Sequence, residues 1–388
     1  MKVRYAKGNE KQNVIDIWNY CFNDEEAFVD YYFNRKYNHE NTIVLEEDNK
    51  IISSLQLNQY TVKLNNKEYK TSYVVGVSTL PEARGRGCMK CIMDYSLNEM
   101  YRKNQLVSLL MPIDYRLYRK YGYEHCYDQI EYNLKTENLS GYKSKGKFEE
   151  LNDDNLEVLV QIYDKITKKL NGVVIRDCDY YKDMREEVKS ENGKIYLYNE
   201  NGYKGYIVYF INGDNLFVKE LYTTNKEALE SMLRFIYNHN TQCKQVIIMS
   251  HLNDKIRYII HNLKDIEIKL KPFMMGRIIK AKEYIEHIEI NECKDIETKI
   301  YIQDNQIEEN NGVFTLEIKN NKIKMFKSEG DYDYKIDINK LSQLSFSYIS
   351  FEDIVELQGL DIDEISDNTR KIFEQIFNTK TNYINEYV

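Results

Sequence analysis

Gly85 and Gly87 stand one residue apart, with Arg84 and Arg86 interleaved and Cys88 behind them. This set suits the capture of an anion. Glycines let the backbone approach a bulky phosphate closely, and guanidinium groups add charge and forked donors. A run of β-formers, Tyr73 to Thr79, precedes the pair, and Met89, Ile92, Met93, Leu97 and Met100 follow at helical spacing. A strand that turns through glycines into a helix leaves the first helical N–H groups free, and the helix dipole favours negative charge there. The ligand it fits is a nucleotide or another pyrophosphate. An ordinary strand-to-helix turn is the alternative reading of the glycines alone. No Gly-Lys-Ser/Thr ending follows Gly87, and Lys90 stands where a dinucleotide fingerprint needs its third glycine.

The elements that must position these residues follow from periodicity and turn signals. Val3–Ala6 reads as a strand, 11–22 as a helix and Glu25–Asn34 as a second helix. Strands at Thr42–Leu45 and Lys50–Lys63 lead through Asn65-Asn66 into the Tyr73–Thr79 strand. After the Met89–Lys103 helix come a strand at Leu106–Met111, a short helix started by Asp114, and a strand at Cys126–Leu134. The order βααβββαβαβ belongs to a mixed-sheet α/β (α+β) fold. Ser140–Gly146 is polar and glycine-bearing, a first boundary.

The next stretch repeats the plan, but its strand-to-helix loop, Thr223-Thr224-Asn225-Lys226-Glu227, holds neither glycine nor arginine. It is expected to bind no cofactor. A second boundary falls at Lys280–Glu283. Beyond it, strands are expected at Ile285–Ile290, Thr298–Gln303, Gly312–Lys319, Lys322–Lys327 and around Ile336, followed by a helix capped by Ser366.

Composition bounds the function. The 388 residues, 42% hydrophobic and 30% charged, suffice for two or three domains with substantial cores. A net charge of −8 argues against nucleic acid and suits a cationic substrate. With no signal-like start and no apolar run long enough to span a bilayer, a soluble cytoplasmic protein without a membrane partner is expected. Seven unevenly spaced cysteines fit a reducing compartment. Cys88 and Cys91 form a C-x-x-C. A metal site would need a second such pair, so no metal is expected. A position near a helix start lowers a thiol pKa, which leaves a redox role for Cys88 open beside an incidental one.

Glu82-Ala83-Arg84-Gly85-Arg86-Gly87 resembles the coenzyme A loop of the GNAT acetyltransferases, Arg/Gln-x-x-Gly-x-Gly/Ala, with Glu82 departing at the first position. Leu117-Tyr118-Arg119-Lys120-Tyr121-Gly122-Tyr123 resembles that superfamily's (Phe/Leu)-Tyr-x-x-x-Gly-(Phe/Tyr) motif. The two stand in the superfamily's order. An acetyltransferase unit (1–140), a second one without a cofactor site (147–280) and an α+β tail (284–388) together resemble the Eis family, whose tail is similar to sterol carrier proteins. The resemblance implies N-acetylation of primary amines, aminoglycosides among them, with acetyl-CoA as co-substrate, in a homo-hexamer.

It implies residue roles as well. Val77, Ser78 and Thr79 would hold the acetyl and pantetheine groups by backbone donors, and Arg84, Gly85, Arg86, Gly87 and Cys88 would cradle the pyrophosphate. Tyr118 would be the general acid. The carboxylate of Val388 would position the amine and relay its proton. Phe22 and Asp24 match groove positions that bind substrate. A non-catalytic protein binding coenzyme A and an apolar ligand is the alternative.

Overall fold

The structure, a computed structural model, describes residues 1–290 and 294–387. Val388 lies outside the described residues. The first unit comprises β1 (Lys2–Tyr5), α1 (Lys11–Cys21), α2 (Glu26–Arg35), β2 (Thr42–Glu47), β3 (Lys50–Leu64), β4 (Lys67–Thr79), α3 (Cys88–Arg102), β5 (Val107–Leu110), α4 (Tyr115–Arg119) and β6 (Glu124–Lys135). This is the expected order. Local chemistry explains its punctuation. Asn65 and Asn66 take positive φ in the β3–β4 turn, as asparagine tolerates, and Asp114 caps α4 by accepting from Arg116 N–H. Of the α3 face read from spacing, Ile92, Met93, Leu97 and Met100 are buried.

The second unit comprises β7 (Lys147–Glu150), α5 (Leu156–Thr167), β8 (Val173–Val174), α6 (Cys178–Ser190), β9 (Lys194–Asn199), β10 (Tyr203–Asn212), β11 (Asn215–Thr223), α7 (Lys226–Tyr237), β12 (Gln245–Ser250), α8 (Ile256–Ile259) and β13 (Glu267–Ile278). The two units do not keep separate sheets. Among the described residues one sheet runs β1-β2-β3-β4-β5-β13-β6-β12-β11-β10-β9-β7, with β8 against β3. The last strand of the second unit, β13, lies antiparallel between β5 and β6 of the first. β6 in turn pairs with β12. Each unit so covers an edge that the other would leave open.

The tail comprises α9 (Ala281–Glu286), β14 (Ile296–Gln303), β15 (Gly312–Lys319), β16 (Lys322–Lys327), β17 (Tyr334–Asp337), α10 (Ile338–Ser345), α11 (Phe351–Leu357) and α12 (Asp367–Ile376). Its sheet has the order β16-β15-β14-β17. The strand expected at Ile285–Ile290 is corrected: α9 occupies its first residues. Tyr284 and Ile285 are adjacent in sequence yet both buried, which a half-buried strand would not allow. Ser366 caps α12 by accepting from Thr369 N–H.

The tail packs on the first unit through buried polar contacts. Arg277 on β13 donates to both oxygens of Asp304, at 2.9 and 2.8 Å, with neither side chain exposed. Asn339 donates to the carbonyls of Arg119 and Tyr123. After α12 the chain runs as an irregular strap, and Asn382 to Glu386 are buried between the units. No described helix is long and apolar enough to cross a membrane.

Candidate active site

Two parallel strands diverge where the glycine turn begins. β4 pairs with β5 only through Ser72, Tyr73 and Val74, then runs on alone to Thr79. On its other side β4 carries a bulge, because Leu55 of β3 faces both Gly76 and Val77. Gly76 takes φ +60°, and a Cβ there would stand 2.2 Å from Gln56 Oε1 and 2.3 Å from the Trp18 ring. The sequence therefore needs glycine at that point. Backbone groups from Val75 to Thr79 face the gap without a neighbouring strand, which is what an extended amide-bearing chain can pair with.

The turn lies at the far end of this gap. Gly85 and Gly87 have φ +76° and +81°, and a Cβ on either would meet nothing within 4 Å. Their open faces leave room for phosphate beside the start of α3. Gly87 is the N-cap, without a side-chain cap, so the first N–H groups of α3 stay available. Arg84 Nε donates to the Thr79 carbonyl at 3.1 Å, and Arg86 pairs with Glu47 at 2.6 Å. Glu82, the residue that departs from the motif, pairs with Lys50 at 2.8 Å. Ser78 faces β3 and bonds the Ser54 hydroxyl at 3.1 Å, leaving only its backbone for a ligand.

Of the two readings of Cys88, the structure favours the incidental one. Its thiol is buried, donates to the Ala83 carbonyl at 3.3 Å and has its pKa raised by burial, against the lowering pull of Arg86. It is a packed residue, not an activated thiolate. Among the described residues no group of His, Cys, Asp and Glu could hold a metal.

Gly87→Val is expected to cost ~1–2 kcal/mol of stability through left-handed strain. It should weaken coenzyme A binding at least about ten-fold, because the new side chain fills the face left open for phosphate. Denaturant melts and calorimetric titration check the two effects separately.

Tyr118 packs in the same apolar cluster as Val74, Val77, Ala83 and Cys88. Burial pushes its pKa up to about 12. Among the described residues no protein group hydrogen-bonds its hydroxyl. Burial keeps this phenol, beside the divergent strands, in its neutral, proton-bearing form.

Three matches in known families decide what this arrangement is. Residues 2–126 and 172–278 each match an acetyltransferase (GNAT) domain, and residues 278–385 match a sterol carrier protein domain. The chain belongs to the GNAT acetyltransferase superfamily. Its architecture is Eis-like: tandem GNAT domains with a sterol-carrier tail. No curated protein matches it in sequence.

Solved structures share the whole fold. A conserved Enterococcus faecalis protein superposes with TM-score 0.85 at 21% identity, covering 100% of this chain and 99% of its own. A GCN5-related N-acetyltransferase of Anabaena variabilis gives 0.83 at 21%, with full coverage of both chains. Eis1 of Mycobacterium abscessus gives 0.77 at 12%, again over both full lengths.

On the other face of β3 and β4 this acetyltransferase has a cavity that sequence reasoning missed. Phe28, Tyr31, Tyr32 and Lys36 come from α2, Asn58 and Tyr60 from β3, Tyr180, Met184 and Glu187 from α6, Lys219 from β11, and Glu386 and Tyr387 from the strap. Lys219 pairs with Glu187 at 2.6 Å. Phe22 and Asp24 are not in it. They line a groove on the opposite side of α2, with Val29 and Phe33. There Asp24 accepts from Trp18 Nε1 at 2.8 Å, and Phe22 packs on the Trp18 ring. The clustering of aromatic residues at Phe28, Tyr31 and Tyr32 was the available signal, but its partners lie in other units.

Gln56, beneath Gly76, is 2% exposed, and both its amide atoms lack a hydrogen-bond partner, as does Asn58 Nδ2. An unsatisfied buried polar group costs ~1–3 kcal/mol. Gln56→Met, of similar shape, is expected to raise stability by about 1 kcal/mol in urea denaturation.

Proposed function

We propose that this acyltransferase acetylates a primary amine by direct attack on acetyl-CoA in a ternary complex. The observation that carries the reading is the divergence of β4 from β5, with the Gly85–Gly87 turn at its end and Tyr118 packed beside it. The thioester would lie along Val77 to Thr79, and its pyrophosphate on Arg84 to Cys88. Backbone N–H groups at the bulge would stabilise the tetrahedral oxyanion.

The neutral amine attacks the thioester carbon, a C–N bond forms and the C–S bond breaks. Tyr118 gives its proton to the leaving thiolate. The proton lost by the amine would pass to water, with the Val388 carboxylate as the proposed relay. No protein nucleophile takes part, so Cys88 stays unacetylated. The acceptor amine would be received at the aromatic cavity, whose tyrosine and phenylalanine rings suit a cation, while Glu187 and Glu386 are already paired with Lys219 and Arg176. Aminoglycosides are one such polyamine class, and a hexamer is the assembly the Eis-like architecture suggests.

The test is thiol release from acetyl-CoA against a panel of aminoglycosides, polyamines and lysine peptides. Amine-dependent release with stoichiometric acetylated product is expected. Coenzyme A binding without release under any amine would sink the reading.

A further inference from the structure

Among the described residues two pairs of parallel strands, β4 with β5 and β11 with β12, stop pairing before the longer strand ends, which leaves a gap in each unit. In the first unit β4 runs on past Val74 to Thr79. In the second, β11 pairs with β12 up to Val218 and Ile248, then runs on to Thr223. That second gap is filled by the chain's own strap. Asn385 Nδ2 donates to the Lys219 carbonyl at 3.0 Å and to Glu220 Oε1 at 3.1 Å, just beyond the last paired residue of β11. The Tyr222 hydroxyl donates to that of Tyr383 at 2.8 Å, and the Tyr383 ring stands edge-on to His251, one residue past β12. Asn253 Nδ2 donates to Thr381 Oγ1 at 2.7 Å. From β6, Gln129 binds the Ile384 carbonyl and Asn385 Oδ1, both at 2.9 Å.

At the end of this gap stands Arg176, between β8 and α6, with no exposed side-chain surface. Its Nη1 binds Glu220 at 2.8 Å, and its Nη2 and Nε bind Glu386 Oε1 at 2.8 and 3.2 Å. The Tyr180 hydroxyl donates to the other Glu386 oxygen. The guanidinium stacks over Tyr163 at 4.3 Å and Tyr180 at 4.7 Å. Burial weakens its charge, yet the two carboxylates hold its pKa above the usual arginine value. A buried ion pair is poor at adding stability, because desolvation offsets attraction, but breaking one partner leaves an uncompensated charge. Such a pair is well suited to fixing one geometry. What it fixes here is a residue two short of the chain end. From the first unit, the Tyr73 hydroxyl on β4 donates to the Glu386 carbonyl at 3.3 Å.

We infer that the second GNAT unit is a receptor for the carboxyl-terminal strap, and that Arg176 is the positioning residue that sets the chain end against the acceptor cavity. The gap that takes coenzyme A in the first unit takes residues 381–386 in the second. Strap occupancy there excludes a second coenzyme A. The inference rests on the acetyl-transfer reading for its catalytic consequence, but not for the seating of the strap.

The experiment compares wild type with Arg176→Met, Arg176→Lys and Glu386→Gln. It reads hydrogen exchange of the 381–387 segment, the coenzyme A Kd and kcat. In Arg176→Met and Glu386→Gln, strap exchange should quicken at least about ten-fold and kcat fall at least about ten-fold, with Kd within about two-fold of wild type. Arg176→Lys should recover part of both losses. Glu386→Gln leaves Arg176 paired with Glu220, so it decides the matter should Arg176→Met unfold. A strap that stays protected in the folded variants overturns the inference, as does a loosened strap with kcat unchanged. Should wild type acetylate no amine, the acetyl-transfer reading fails by itself. Strap exchange then decides the receptor role alone.

Discussion

Tyr118→Phe is expected to lower kcat about 100-fold while the coenzyme A Kd stays within about two-fold. General acid catalysis is typically worth 10²–10⁴-fold, and the phenol ring, which does the packing, remains in the variant. The pH profile gives an independent check. A thiol leaving group has a reference pKa of about 8.5 and an alkyl amine one of about 10.4. Tyr118, raised to about 12 by burial, stays protonated across the whole range in which the amine loses its proton. kcat/KM should therefore rise with pH from about 7 to about 10 as neutral amine accumulates. It should fall only as Tyr118 ionises near 12. The variant should keep the rising limb at a much reduced height. Loss of coenzyme A binding in Tyr118→Phe would instead make the residue a packing element.

The second large effect is expected from a two-residue extension after Val388, which should suppress turnover at least about 100-fold. An added peptide bond turns the terminal carboxylate into a neutral amide and moves the charge away. The strap leaves little slack for compensation. Glu386 is 5% exposed, the Tyr387 hydroxyl donates to Gln129 Oε1 at 2.7 Å, and its ring packs on Phe273 with centroids 4.8 Å apart. An α-carboxylate has a reference pKa of about 3.3–3.7, so the charge is present throughout the working range and the effect should not depend on pH above about 5. The same two residues added before Met1 are the control. Full activity of the extended protein would remove the carboxylate from the mechanism.

The glycine turn and the candidate acid were legible because their signals are local. Gly85, Gly87 and the helix after them lie within one strand-turn-helix, and Tyr118 lies in a seven-residue motif. Order and caps of the first unit were likewise written in short-range patterns, as Asp114 and Asn65-Asn66 illustrate. The aromatic cavity was not. Phe22 and Asp24 follow α1 and line a groove on one side of α2, where Asp24 accepts from Trp18, while the cavity opens on the other side.

By itself, then, the sequence determined the elements of the first unit, the glycine turn that suits phosphate, the candidate acid and the lack of such a turn in the second unit. These depend on backbone freedom at glycine, helix periodicity and capping, all acting over a few residues. Only the tertiary structure decided that β13 enters the first unit's sheet, that the strap fills the second unit's cleft, and that Arg176 meets Glu220 and Glu386. Those partners stand 44 and 210 residues away from it. No local pattern encodes such pairings. They are selected when sheet edges are covered and buried charges must find one another, which happens only once the whole chain is folded.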